Sequence, residues 1–197
     1  MKYYKGVIPG EDEAFNGGSY VLEHGEGHEQ FNFDAVTLDD GQLYCLGFVE
    51  TKSTVSDKRN ELHIEKIQGC SNLKKEPKVE DVVVVWCATT MLNETSVVGW
   101  YNHATVYRNY QEAVFEDDYV QDFLTIAKKE DCVLLPVGDR HMFMWQAPTA
   151  KKRSYGFGQS LIWYAQEEQA QPYVQRLLTQ IAEYRGENWI DKSARNE

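Results

Sequence analysis

With 197 residues, 42% hydrophobic and 26% charged, the chain has the composition of an ordinary globular protein, long enough to bury a core without a metal or disulfide to staple it. Its formal net charge of −11 weighs against a large non-specific DNA clamp, because phosphate contacts need Lys or Arg, but it allows a small module that holds one base through a locally basic rim. The N-terminal MKYYKGVIPGEDEA has no apolar h-region, and no stretch approaches the roughly 18 apolar residues of a membrane span, so a cytoplasmic protein is expected.

In chain order, residues 2–8 (KYYKGVI) read as a first strand closed by Pro9-Gly10, and residues 10–18 as an acidic, turn-rich connection. Residues 19–22 form a short strand, followed by an irregular path through Gly25 and Gly27 and the alternating FNF of residues 31–33. Residues 43–49 (LYCLGFV) read as a second buried strand, and residues 62–67 (LHIEKI) as an edge strand with imperfect alternation. A polar connection over 74–80 leads into the central feature, a strand over 82–86 (VVVVW) buried on both faces, a polar turn over 91–96, and an aromatic-rich strand over 97–107. The spacing of Tyr119, Phe123 and Ile126, with Lys128-Lys129 behind them, predicts a helix over 116–129. Short strands over 133–137 and 141–145 follow, then the longest helix over 165–185, ended by Gly186, and a polar tail over 191–197.

The four cysteines Cys45, Cys70, Cys87 and Cys132 lie far apart with no CxxC pair, so reduced thiols without a metal are expected. No GxSxG, Walker loop or HExxH occurs. His103 follows Asn102, but an HNH nuclease needs a second histidine in a ββα hairpin. His28 and Glu29, adjacent, would point to opposite faces of an extended chain, and they read as shaping a pocket rather than as a base pair. No enzyme activity and no cofactor are therefore expected.

Rings alternate with amides and cations in three places: Asn32 and Phe33; Trp100, Tyr101, Asn102 and Arg108; and Gln159 and Trp163 behind the basic run Lys151, Lys152, Arg153. Rings suit base stacking, amides suit base edges, and cations suit phosphates. The plainer readings are burial for Trp163 and a solvated charge run for the lysines.

The segments GVIPGEDEAFNGGSYVLEHGEGHEQFNF, LYCLGFVE, VVVVWCATT, SVVGWYNHATVYR and GFGQSLIWYA resemble the N-terminal specificity modules of bacterial HNH-type and other modification-dependent restriction proteins. The hairpin VVVVWCATTMLNETSVVGW is similar to the strand pair of PUA-superfamily readers of the EVE and YTH type. The resemblance implies an α+β fold, a curled mixed β-barrel with flanking helices and a long C-terminal helix: residues 1–164 form the reader, 165–190 the packed helix and 191–197 the tail. It also implies that one modified, flipped base, cytosine-derived, enters an aromatic pocket, with modified double-stranded DNA and a nuclease domain or subunit as partners. In that pocket Phe33, Trp100, Tyr101 and Trp163 would supply rings and Asn32, Asn102 and Gln159 edge contacts, with Arg108, Lys151, Lys152 and Arg153 on phosphates. The alternative is a small-molecule or peptide-binding regulatory domain using the same rings.

Overall fold

The computed structural model of the chain describes residues 1–8, 27–51, 60–89, 94–115 and 119–192. Among these, six strands make one sheet: β1 (Ala35–Thr37), β2 (Leu43–Gly47), β3 (Lys78–Thr89), β4 (Thr95–Val114), β5 (Val120–Lys128) and β6 (Cys132–Leu134). The order is β1-β2-β5-β4-β3, with β6 laid on β4 opposite Gly99–Tyr101. All strand pairs are antiparallel, and the expected mixed barrel is an antiparallel half-barrel with, among the described residues, one α-helix, α1 (Gln171–Glu183). The one described parallel pairing is an isolated bridge between Thr149 and Phe157.

The expected hairpin is present: Val84 faces Tyr101, Val85 faces Trp100 and Trp86 faces Gly99 across β3 and β4. Both strands run longer than their apolar cores, so Lys78–Glu80 and Thr95–Ser96 belong to strands rather than to connections. Register breaks between Val79 and Val82, Val82 and Val84, and Trp86 and Cys87 bend the pair, and one between Val106 and Gln111 bends β4 against β5, because each extra residue kinks its strand and increases the local twist. Asp81, in the first of these breaks, and His103, in the second, both take positive φ (61° and 48°), and the His103 Nδ1 lies 2.6 Å from the Asp81 Oδ1. This curl separates a concave face from a convex one.

Consecutive strand residues face opposite sides, so Tyr101 enters the concave core with Phe33, Cys45, Cys132 and Leu134, while Trp100 enters the convex core with Val97, Leu135 and Trp145. Helix α1 covers the convex face. Its Tyr173, Leu177 and Ile181 recur every fourth residue and are buried on that core, each contributing about 1.5–3 kcal/mol. The helix stops at Glu183, earlier than Gly186, because Tyr184 turns extended. There its ring meets Trp100 edge-on at 5.3 Å and its hydroxyl donates to the Glu187 carbonyl.

Several expected elements differ. Residues 120–128 are strand, not helix: Val120, Thr125 and Ile126 are β-branched, and the segment is paired by β2 on one side and β4 on the other. Residues 62–67 hold a 3-10 turn (Ile64–Lys66), though Leu62 and Ile64 do point inward. Residues 139–145 hold two 3-10 turns, Asp139–His141 and Phe143–Trp145, and of these residues only Arg140 and Trp145 are buried, which is not the alternation of a strand. Residues 3–6 bend instead of extending, with Tyr4 at φ 52° and Gly6 at φ 89°. Strand β3 is half-buried rather than enclosed, because it is the last strand of the sheet path. The expected strand over 19–22, the turn residues 91–93, the helix start at 116–118 and the tail residues 193–197 lie outside the described residues.

Candidate functional site

Trp100 and Tyr101, the rings expected to face a base, line neither concavity. Trp100 is 1% exposed, stacked at 5.4 Å on Trp145, and Tyr101 is fully buried with its hydroxyl donating to the Asn32 carbonyl. Phe33 is fully buried and its ring lies against Gly99, where a Cβ would come within 2.5 Å of it. The Asn32 amide is used on both sides: its Nδ2 donates to the Phe48 carbonyl at 3.0 Å and its Oδ1 accepts from the Phe48 N–H at 2.8 Å. An amide engaged in this way clamps backbone, and at 4% exposure its remaining N–H and lone pair are shielded from solvent.

Arg108 is likewise structural. Its guanidinium donates to the carbonyls of Leu62, Leu73 and Glu76 and, at 2.9 Å, to the Glu65 carboxylate, tying the irregular 62–77 segment to β4. Its own backbone N–H bonds to Pro77 and its carbonyl accepts from Leu62. With Nε and both terminal nitrogens bonded inside the protein and the side chain 11% exposed, the fork is spent on the fold. Asn102 is half-buried on β4, Gln159 is exposed, and Lys151, Lys152 and Arg153 are exposed. His28 packs its ring 5.0 Å from Phe48, and the Glu29 carboxylate accepts from the Glu50 N–H.

The expected residues that do meet at one concavity are Asn32, Phe33, Glu29 and Trp163, and β3 organises it. A cleft of about 600 Å³, within the usual range for ligand sites, runs along β3, the last strand of the described sheet, and is lined by every residue from Glu80 to Cys87. Residues 157–165 straddle that edge: Ile162 packs on the concave-side cluster of Leu62 and Ile64, while the next residue, Trp163, packs on the convex core. The far end of this strap is pinned by the Tyr164 hydroxyl, which accepts from the His63 N–H. Its near end follows a loop closed by the Phe157 N–H on the Pro148 carbonyl. Only glycine fits at Gly156, where φ is 111° and a Cβ would meet the Pro148 oxygen at 2.3 Å.

The cleft walls are aromatic. Trp163 stacks on Tyr155 (6.2 Å, 20°), leans on Phe157 and Tyr173, and bonds its Nε1 to both Glu167 oxygens. On the concave side Trp86 lies over Gly47, where a Cβ would be 2.4 Å from its ring, and its buried Nε1 donor has no partner among the described residues. Such an orphan costs on the order of 1–3 kcal/mol unless something accepts from it. The Cys87 thiol, also on the wall, is pushed up to about 12 by burial and is therefore not a nucleophile at neutral pH.

Beside the cleft, and sharing Ala147 and Tyr173 with it, lies a smaller concavity of about 400 Å³ lined by Lys152, Arg153 and Arg176. Burial raises the Tyr173 hydroxyl, against the pull of Arg176 and Arg153 nearby. Arg176 sits 5.5 Å over the Tyr173 ring, one helical turn along α1. Sequence reasoning missed Trp86, Tyr173 and Arg176. The i, i+3 spacing of Tyr173 and Arg176 on an amphipathic helix was the available signal.

The fold and cleft together define a half-barrel with one helix-covered face and an aromatic slot along its edge strand. The chain matches no family model, no curated protein and no solved structure.

Proposed function

We propose that the chain is a non-catalytic reader of a modified base in DNA, with the base held in the β3 cleft rather than on the hairpin rings. One observation carries this reading: an aromatic cleft and a cationic concavity meet at Tyr173 in a chain of net charge −11. That pairing suits a ligand with a flat, largely apolar part and an anionic part, which a nucleotide unit has. Flipping a base costs a few kcal/mol of unstacking. Stacking on Trp163 offsets it. The resemblance to EVE-type specificity modules points to modified cytosine, and to a nuclease partner in a restriction or defence system.

The test is a binding screen of the purified chain against duplexes carrying methyl-, hydroxymethyl- and glucosylated hydroxymethylcytosine. Trp163→Ala is expected to weaken binding of the preferred duplex by about tenfold, the loss of one stacking partner. Equal affinity for all duplexes, modified or not, overturns the reading.

The edge of β3, unpaired by any other described strand, and the apolar cleft wall favour a second reading, a regulatory domain for an uncharged small molecule or extended peptide. Salt separates the two, since DNA binding through phosphates weakens steeply as salt rises and an uncharged ligand is indifferent to it.

A further inference from the structure

Three consecutive large apolar side chains stand out of the surface at the rim of the cationic concavity: Met142 is 49% exposed, Phe143 73% and Met144 39%. Phe143 itself lines that concavity with Lys152, Arg153 and Arg176. The knuckle carrying them is rigid. On one side Arg140 is buried and donates to the carbonyls of Leu135, Met1 and Lys2. On the other, Trp145 is 1% exposed and stacked on Trp100, and 3-10 bonds from Met142 to Asp139 and from Trp145 to Met142 hold the backbone between. An exposed ring on a floppy loop would lose much of its contact energy to ordering, whereas this one is already ordered.

The charge around it selects the partner. Among the described residues the side chains of Lys152 and Arg176 make no ion pair or hydrogen bond, and Arg153 touches only the Tyr155 hydroxyl and ring. Glu94 is an acid on the same rim. Three cations with no acidic partner, set around a protruding phenyl ring in an acidic protein, complement a polyanion that also offers apolar faces.

We propose that Phe143, flanked by Met142 and Met144, is a wedge that enters a base step of duplex DNA, while Lys152, Arg153 and Arg176 hold the neighbouring phosphates. The wedge fills the stack while a base is turned out, and it rests on the reading of the β3 cleft as the base pocket. Apolar side chains inserted between base steps unstack them at a cost of a few kcal/mol, which the added backbone contacts offset.

The test uses the full chain, wild type, Phe143→Ala, Phe143→Leu and a triple Lys152→Ala, Arg153→Ala, Arg176→Ala variant. The probes are a duplex carrying one hydroxymethylcytosine beside aminopurine, its unmodified counterpart, and the modified strand alone. Phe143→Ala is expected to weaken duplex binding by about tenfold, to change single-strand binding by less than about twofold, and to abolish the aminopurine brightening that reports unstacking. Phe143→Leu should retain most of both signals. The triple variant should flatten the plot of log affinity against log salt by about three units. Equal losses on duplex and single strand, or no loss on the duplex, overturn the wedge. If wild type brightens aminopurine in both duplexes without preferring the modified one, the base reading fails and the wedge stands. If wild type binds the modified single strand but no duplex even at low salt, the wedge fails and the cleft reading stands.

Discussion

At the scale of single residues, the side chains that looked most like ligands hold the fold, and chemistry explains why. An Arg fork and an Asn amide satisfy backbone groups as readily as they satisfy phosphates and bases. Arg108, only 11% exposed with its partner Glu65, is expected to destabilise the protein by about 3 kcal/mol when replaced by Ala, since Glu65 and three carbonyls lose their donor. Urea unfolding would show this as a lower midpoint at unchanged slope, while Lys152→Ala should move stability by less than about 0.5 kcal/mol. A wild-type midpoint in Arg108→Ala with lost DNA binding would return Arg108 to the phosphate ligands. Glu65 adds a pH signature. Its own backbone N–H and the Arg108 guanidinium hold its carboxyl at about 2, against an ordinary 4.5. A carboxyl depressed in the folded state stabilises above its unfolded value and ceases to do so as the pH falls through the folded one. Stability should therefore decline between pH 4.5 and about 2, and Glu65→Gln should flatten that acid limb; an unchanged limb would show that the pair is not coupled to folding.

At the scale of elements, β3 and α1 divide the work. Strand β3 reads in the sequence as an interior strand because Val82–Val85 are all β-branched, yet an edge strand flanked by a cleft on both faces needs the same composition. Residues 120–128 show the opposite failure, where a helical spacing of Tyr119, Phe123 and Ile126 coexists with β-branched residues and two neighbouring strands settle the outcome. On the convex side, Trp100 is clamped by Trp145 and Tyr184. Trp100→Ala should cost about 3–5 kcal/mol of stability, read by thermal or urea unfolding, and leave ligand affinity at the Trp163 wall unchanged wherever the variant remains folded. A loss of affinity at full stability would put Trp100 back into the site. Gly47→Ala probes the concave side: the new Cβ meets Trp86 and the Thr125 Oγ1, at 2.4 and 2.2 Å, and should destabilise by about 1–3 kcal/mol while shifting the indole fluorescence.

At the scale of the whole molecule, the C-terminal helix is part of the one fold rather than an appendage. Val97, Trp100, Leu135 and Trp145 have Tyr173, Leu177 and Ile181 as their cover, and both concavities use residues of α1. Removing residues from 165 onward should abolish cooperative unfolding and leave a state that binds hydrophobic dye; a truncated chain with a sharp transition would show the helix to be dispensable. Several features were legible in the sequence alone because they depend on local chemistry. The hairpin of β3 and β4 follows from apolar runs around a polar turn, the amphipathic helix from its four-residue repeat, and the strand at 43–47 from its apolar run. Tertiary structure alone decided which face each ring took. A bulge changes which neighbour faces the core, and two consecutive residues, Trp100 and Tyr101, part to opposite cores. It alone also brought Arg176 beside Lys152 and Arg153, across some twenty residues of chain, since no local pattern records which loop a helix will pack against.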